Sequence, residues 1–114
     1  MSNNFFGLSF DVADAVGQAT FWAKSTGGEV ADGATQDDAV VTGTDFPRLA
    51  FHRVPEGKTA KNRLHIDLVA PEYEAEIERL LGLGASKVNE LAPGGARWTT
   101  LTDPEGNEFD VIAG

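Results

Sequence analysis

Two histidines, His52 and His65, and the carboxylates spaced around them at strand-like intervals are the residues of this 114-residue chain best suited to chemistry. A histidine beside carboxylates can act as a general base steadied by the acid. It can also join them on a divalent cation, since imidazole nitrogen and carboxylate oxygen both ligate such ions. Which groups meet is a matter of parity, because successive strand residues point to opposite faces. With Phe6, Leu8 and Phe10 turned toward a helix, Gly7, Ser9 and Asp11 turn away from it. By the same parity Arg63, His65 and Asp67 share the free face, with Ala50 and His52, Trp98 and Thr100, and Glu108 and Asp110. A face so composed is that of a ligand site. Its candidate ligand contacts are His52, Arg63, Asp67, Trp98, Thr100 and Asp11. The plain alternative for His65 is a polar residue bonded to Asp110 or Asp67, and for Trp98 a bulky wall residue.

The elements that must position these groups repeat. A shift of 58 residues aligns the two halves in pattern. Leu8, Phe10 and Val12 alternate as Ile66, Leu68 and Ala70 do, the period of a half-buried strand. Ala15, Ala19, Trp22 and Ala23 follow at the spacing of one helical face, matched by Tyr73, Ile77, Leu80 and Leu81. Asp14 is placed to cap the first helix and Pro71 to start the second, while Gly27 with Gly28, and Gly82 with Gly84, close them. Short strands are expected around Val30 and Val88, then at Ala39 to Gly43 and Trp98 to Thr102. Turns come at Asp45-Phe46-Pro47 and at the longer Asp103-Pro104-Glu105-Gly106-Asn107, and Leu49-Ala50-Phe51 corresponds to Phe109-Asp110-Val111. Each half therefore reads as a strand, a helix and three strands. Module one spans residues 1–54, a polar connection 55–62, and module two 63–114, within a single domain whose ligand site is the cleft between the copies.

Composition narrows the function. Eighteen acidic against nine basic residues give a formal charge of −9, which repels phosphate backbones and argues against nucleic acid. No apolar run approaches the roughly 18 residues of a membrane helix. The first residues lack a secretory signal and the chain has no cysteine, so a cytoplasmic location is expected. The basic residues Arg48, Arg53, Lys58, Lys61 and Arg63 read as a solvated connection, with an anion-binding patch as the alternative. Gly94-Gly95 and Gly27-Gly28 read as turns, since a phosphate loop needs a fixed glycine pattern followed by lysine.

Asp14 through Phe21-Trp22, Asn62-Arg63-Leu64-His65-Ile66-Asp67, Leu83-Gly84-Ala85 and the run Asp103 to Asp110 together resemble the vicinal oxygen chelate superfamily of glyoxalase I, ring-cleaving dioxygenases and bleomycin-resistance proteins. The chain looks most like the small bacterial glyoxalase-like proteins. The resemblance covers nearly the whole chain, and the final turn and strand are its most specific part. It implies an α+β fold of two βαβββ modules forming a cup-shaped open half-barrel with helices on the outer face, and association as a homodimer. It also implies four metal-ligand positions, which fall on Gly7, Ala50, His65 and Asp110. Only His65 and Asp110 can bind metal, and these two are the candidate catalytic residues. Asp110 stands where glutamate is usual.

Two protein groups fall short of the three that a catalytic ion takes. His52 and Asp11 are possible replacements, with His52 displaced about 6–7 Å along its strand from the Ala50 position. The donor count favours a site without metal over one holding a single divalent ion such as Zn, Fe, Mn or Ni. The expected function is to hold a small organic molecule in the cup. Two classes follow: a metal-assisted lyase, isomerase or dioxygenase, or a binding or drug-sequestering protein without chemistry.

Overall fold

The computed structural model describes residues 3–45 and 47–114. Met1, Ser2 and Phe46, the last in the turn expected at Asp45-Phe46-Pro47, lie outside the described residues. The chain divides into two compact units, Met1–Gly57 and Lys58–Gly114. Each is a βαβββ module.

In the first unit β1 (Gly7–Val12) leads to α1 (Ala15–Thr26), then β2 (Glu29–Val30), β3 (Asp38–Thr42) and β4 (Arg48–Arg53). The sheet order is β1-β4-β3-β2, with β1 parallel to β4 and the other pairs antiparallel. Asp14, in extended backbone, caps α1 by accepting from the Gly17 N–H, and Gly27 ends it at φ 78°, a left-handed conformation that glycine adopts without strain. Ala15, Ala19, Trp22 and Ala23 are all buried, as their spacing predicts. Trp22 meets Phe10 at 5.8 Å between ring centres, and Phe10 stacks on Phe51 at 4.9 Å. Trp22 is thus core. Phe6 departs from expectation. It precedes β1, is 74% exposed, and carries the Arg48 guanidinium over its ring instead of lying under the helix.

In the second unit β5 (Ile66–Ala70) leads to α2 (Tyr73–Leu83), then β6 (Ser86–Leu91), a short helical turn at Pro93–Gly95, β7 (Trp98–Thr102) and β8 (Glu108–Ala113). The order β5-β8-β7-β6 repeats the first sheet, again with one parallel pair, β5 with β8. Both sheets are open and mixed, and the architecture is α+β as expected. Pro71 lies just outside α2 rather than in its first turn, and Gly84, at φ 118°, closes the helix while Gly82 falls inside its last turn. On the helix side of the sheet Leu80, Leu101, Phe109 and Val111 are fully buried. The Tyr73 hydroxyl bonds to Thr99 Oγ1 there, fixing α2 to β7. No helix among the described residues is long and apolar enough to cross a membrane.

Candidate functional site

In the second unit, burial alternates along the strands. Phe109, Val111, Thr99 and Leu101 face the helix, so Asp67, Asp110, Thr100 and Trp98 face away from it. Register turns that parity into rows. Asp67 pairs with Asp110, Asp110 with Thr100, and Thr100 with Asn89, which sets one polar row across all four strands. Two residues further along, Val69, Ile112, Trp98 and Leu91 form a second row by the same pairings. The two rows are about 7 Å apart, and each crosses about 14 Å of sheet.

His65 stands immediately before β5, beside the polar row. Its Nδ1 lies 2.9 Å from Asp67 Oδ1 and 3.8 Å from Asp110 Oδ2. Thr100 Oγ1 donates a 2.6 Å hydrogen bond to the other oxygen of Asp110, the short contact of a charge-assisted bond. This leaves Oδ2 turned toward the histidine. Asp110 is the most enclosed of the three, with 18% of its side chain exposed, so its orientation is well determined.

One ligand atom from each of His65, Asp67 and Asp110 lies within 4.8 Å of the others. Ligands bonded at about 2.1 Å to one ion stand about 3 Å apart at right angles and about 4 Å apart when opposed. The 2.9 and 3.8 Å separations fall in that range or at its edge, and one imidazole with two carboxylates suits borderline and hard divalent ions. The donor set fits a divalent cation. Counting from sequence reached only His65 and Asp110. Asp67 reads from the sequence as a ligand contact only, because its closeness to the histidine depends on how the chain enters β5.

A further acid braces that entry. The Glu108 carboxylate accepts the Asn62 N–H at 3.0 Å and pairs with Lys58 at 3.2 Å, tying the segment before His65 to the start of β8. The Asn62 hydrogen bond, assisted by Lys58, holds Glu108 below its ordinary carboxylate pKa against the opposing effect of burial. A depressed carboxylate contributes stability that is fully present above its unfolded value and is lost as pH falls through the folded one. In Glu108→Gln the stability deficit relative to the parent chain should therefore be constant near neutrality and shrink in acid. Denaturant midpoints measured from pH 7 downward check this; a pH-independent deficit refutes it.

The other expected residues separate. Arg63 is exposed in the bend before β5 and makes no hydrogen bond or ion pair among the described residues. His52 and Asp11 are register partners in the first sheet, where His52 Nδ1 bonds Asp38 Oδ1 at 2.9 Å. Asp38 escaped the sequence reading because the β3–β4 register is not legible locally. Gly7 is held glycine by packing: a Cβ there would lie 2.6 Å from the Arg48 carbonyl oxygen. Ala50 is buried at 2% exposure. Asn89 and Leu91 also went unnoticed, since a bulge between Lys87 and Asn89 breaks the alternation of β6. Val69 and Ile112, two residues beyond Asp67 and Asp110, share their face by plain parity.

The family model described as a glyoxalase-like domain matches residues 7–112. The chain belongs to the glyoxalase-like domain family. It falls within the vicinal oxygen chelate superfamily, as its sequence suggested. No curated protein matches this glyoxalase-like chain. Among solved structures it is similar to a mutant of the fosfomycin resistance protein FosX from Listeria monocytogenes, complexed with Mn(II) and 1S,2S-dihydroxypropylphosphonic acid, at 15% identity and TM-score 0.79, covering 100% of this chain and 92% of that one. FosX from Mesorhizobium loti is similar at 15% identity and TM-score 0.75, with 100% and 94% covered. The bleomycin-binding protein of Streptomyces verticillus, complexed with copper(II)-bleomycin, matches at 20% identity and TM-score 0.65, with 100% and 99% covered. At these identities the likeness is one of fold.

Proposed function

We propose that this glyoxalase-like protein holds a small organic molecule bearing neighbouring oxygen atoms, bound through one divalent cation at His65, Asp67 and Asp110. The observation that carries the proposal is the convergence of these three donors on the open face of the second sheet. Three protein groups leave coordination positions for a ligand's oxygens, which two would not do securely. A fold neighbour complexed with Mn(II) and a vicinal dihydroxy compound supports the same ligand class. A cation bound there supplies Lewis-acid polarisation of the ligand's oxygens. Thr100 holds Asp110 in place. Trp98 and Asn89 flank the ligand, and the site so built admits lyase, isomerase or dioxygenase chemistry. A homodimer and a cytoplasmic location are part of the same proposal.

A second reading, binding without turnover, is favoured by one observation: Gly7 and Ala50 offer no donor side chains. Both readings use the same site, and recovery of an added diol unchanged after incubation with the metal-loaded protein selects the second.

Titration with Mn(II) tests the shared claim. At a hundredfold excess over Kd the ion should stabilise the chain by about 2.7 kcal/mol, read as a rise in melting temperature. The rise should vanish in His65→Ala and Asp67→Asn and persist in Asp38→Asn, whose carboxylate pairs with His52 in the first unit. If no divalent ion raises the melting temperature, or Asp67→Asn responds like the parent chain, the proposed centre is wrong.

A further inference from the structure

The two helices cover their sheets differently. The inward face of α1 is built largely of the small residues Ala15, Ala19 and Ala23, and the helix packs closely on β2, β3 and β4. The inward face of α2 is Tyr73, Ile77 and Leu80, bulkier side chains, and this helix packs mainly on β5 and β8. The outer strand β6 is left uncovered, with all six of its residues exposed. Between α2 and β6 lies an open groove of about 430 Å³, within the size range of small-molecule sites. Its floor is Tyr73, Ile77 and Thr99, all buried, and Glu74 and Glu78 line the helix wall. The facing wall is Lys87 and Glu90, whose register partners Leu101 and Thr99 lie on the helix side of the sheet. We infer that this groove binds a small organic cation of single charge, an alkylammonium compound whose apolar stem lies over Ile77 and whose charge meets Glu78.

One end of the groove already seats a cation in this way. The Arg97 guanidinium lies 4.6 Å from the centre of the Tyr73 ring, 3.1 Å from Glu74 and 2.9 Å from Glu90, between an aromatic floor and a carboxylate on each wall. About one helical turn along, the arrangement recurs with Ile77 as floor and Glu78 as wall. Here the carboxylate makes no ion pair among the described residues, while Lys87 across the groove is held by Glu90 at 3.3 Å. Glu74 and Glu78 stand at i, i+4, where like charges weaken a helix unless a cation relieves them. Three carboxylates, Glu74, Glu78 and Glu90, face two cations, Lys87 and Arg97, which leaves room for one more positive charge. An alkylamine can lay its methylenes on the apolar floor while its ammonium reaches the rim, as lysine stems do on protein surfaces. The groove and the polar row lie on opposite faces of the sheet, so occupation of one does not require the other.

Amide NMR with hexylamine and hexanol, probes of equal length and different charge, tests the groove. At low salt hexylamine should move the signals of Glu74, Glu78, Lys87 and Glu90 saturably. It should bind at least about threefold more tightly than hexanol, the modest gain of an exposed charge pair. Glu78→Gln should abolish that preference and leave hexanol affinity unchanged. Glu76→Gln removes the same charge from α2 at a position paired with Arg79 outside the groove, and the preference should survive it. Hexamethylenediamine, whose second charge finds no free carboxylate, should bind no more tightly than hexylamine. Equal affinity for amine and alcohol, equal loss in the two variants, or movement of other signals while those four stay fixed overturns the inference. Tighter binding of the diamine refutes the single charge.

Discussion

Asp103→Ala should destabilise the second module by about 3 kcal/mol, because one buried carboxylate there satisfies most of the turn between β7 and β8. Asp103 is only 3% exposed. Its Oδ1 accepts the backbone N–H groups of Glu105 and Asn107, each at 3.0 Å, and the Asn107 side-chain amide bonds Oδ2 at 3.0 Å. The Asp103 carbonyl accepts from Gly106, whose φ of 91° few other residues could adopt. Alanine would leave two backbone donors without their acceptor in a part-buried loop. Hydrogen bonds to a charged group contribute about 1.5–3 kcal/mol each, and partial access of water makes the lower part of the summed range the realistic one. Urea denaturation measures the change, and a loss under 1 kcal/mol would show that water replaces the carboxylate. Asp103→Asn, which keeps one acceptor oxygen, should recover about half the loss.

The largest effect should come from Phe109→Ala, at about 3–5 kcal/mol. Phe109 is 1% exposed on β8, under α2 and next to Asp110. Its register partners are Ile66 and Leu101, so the cavity would open at the centre of the second sheet. Surrounding strands cannot collapse into it without moving β8, which also carries Asp110. The variant should therefore lose stability and bind Mn(II) more weakly than the parent chain even where it remains folded. Denaturation in the presence and absence of Mn(II) separates the two effects. An unchanged metal-dependent increment would mean that Asp110 is positioned by Thr100 alone.

These two residues show why the final turn and strand were the most legible part of the sequence. Asp103, Gly106 and Asn107 are constrained by local backbone chemistry, and Phe109 by burial, so their types report structure directly. His65, Asp67 and Asp110 are constrained by one another across three chain segments, which leaves only a weak trace in any local window.

Much followed from the sequence alone: the duplicated βαβββ order, the buried face of α1 and that of α2 apart from the half-buried Leu81, the end of α1 at Gly27, and the side of each strand on which Asp67, Asp110, Thr100 and Trp98 lie. Periods of two and 3.6 and backbone preferences act between near neighbours, so they can be read in a line of residues. Tertiary structure decided which groups meet. The parallel β5–β8 register sets Asp67 opposite Asp110, the Glu108 anchor on Asn62 places His65 beside both, and the bulge in β6 brings Asn89 and Leu91 into the rows. It also tied His52 to Asp38 within the first sheet. Register between distant strands comes from packing over the whole sheet, where a slip of one residue would turn every side chain to the other face, and no short stretch of sequence encodes it.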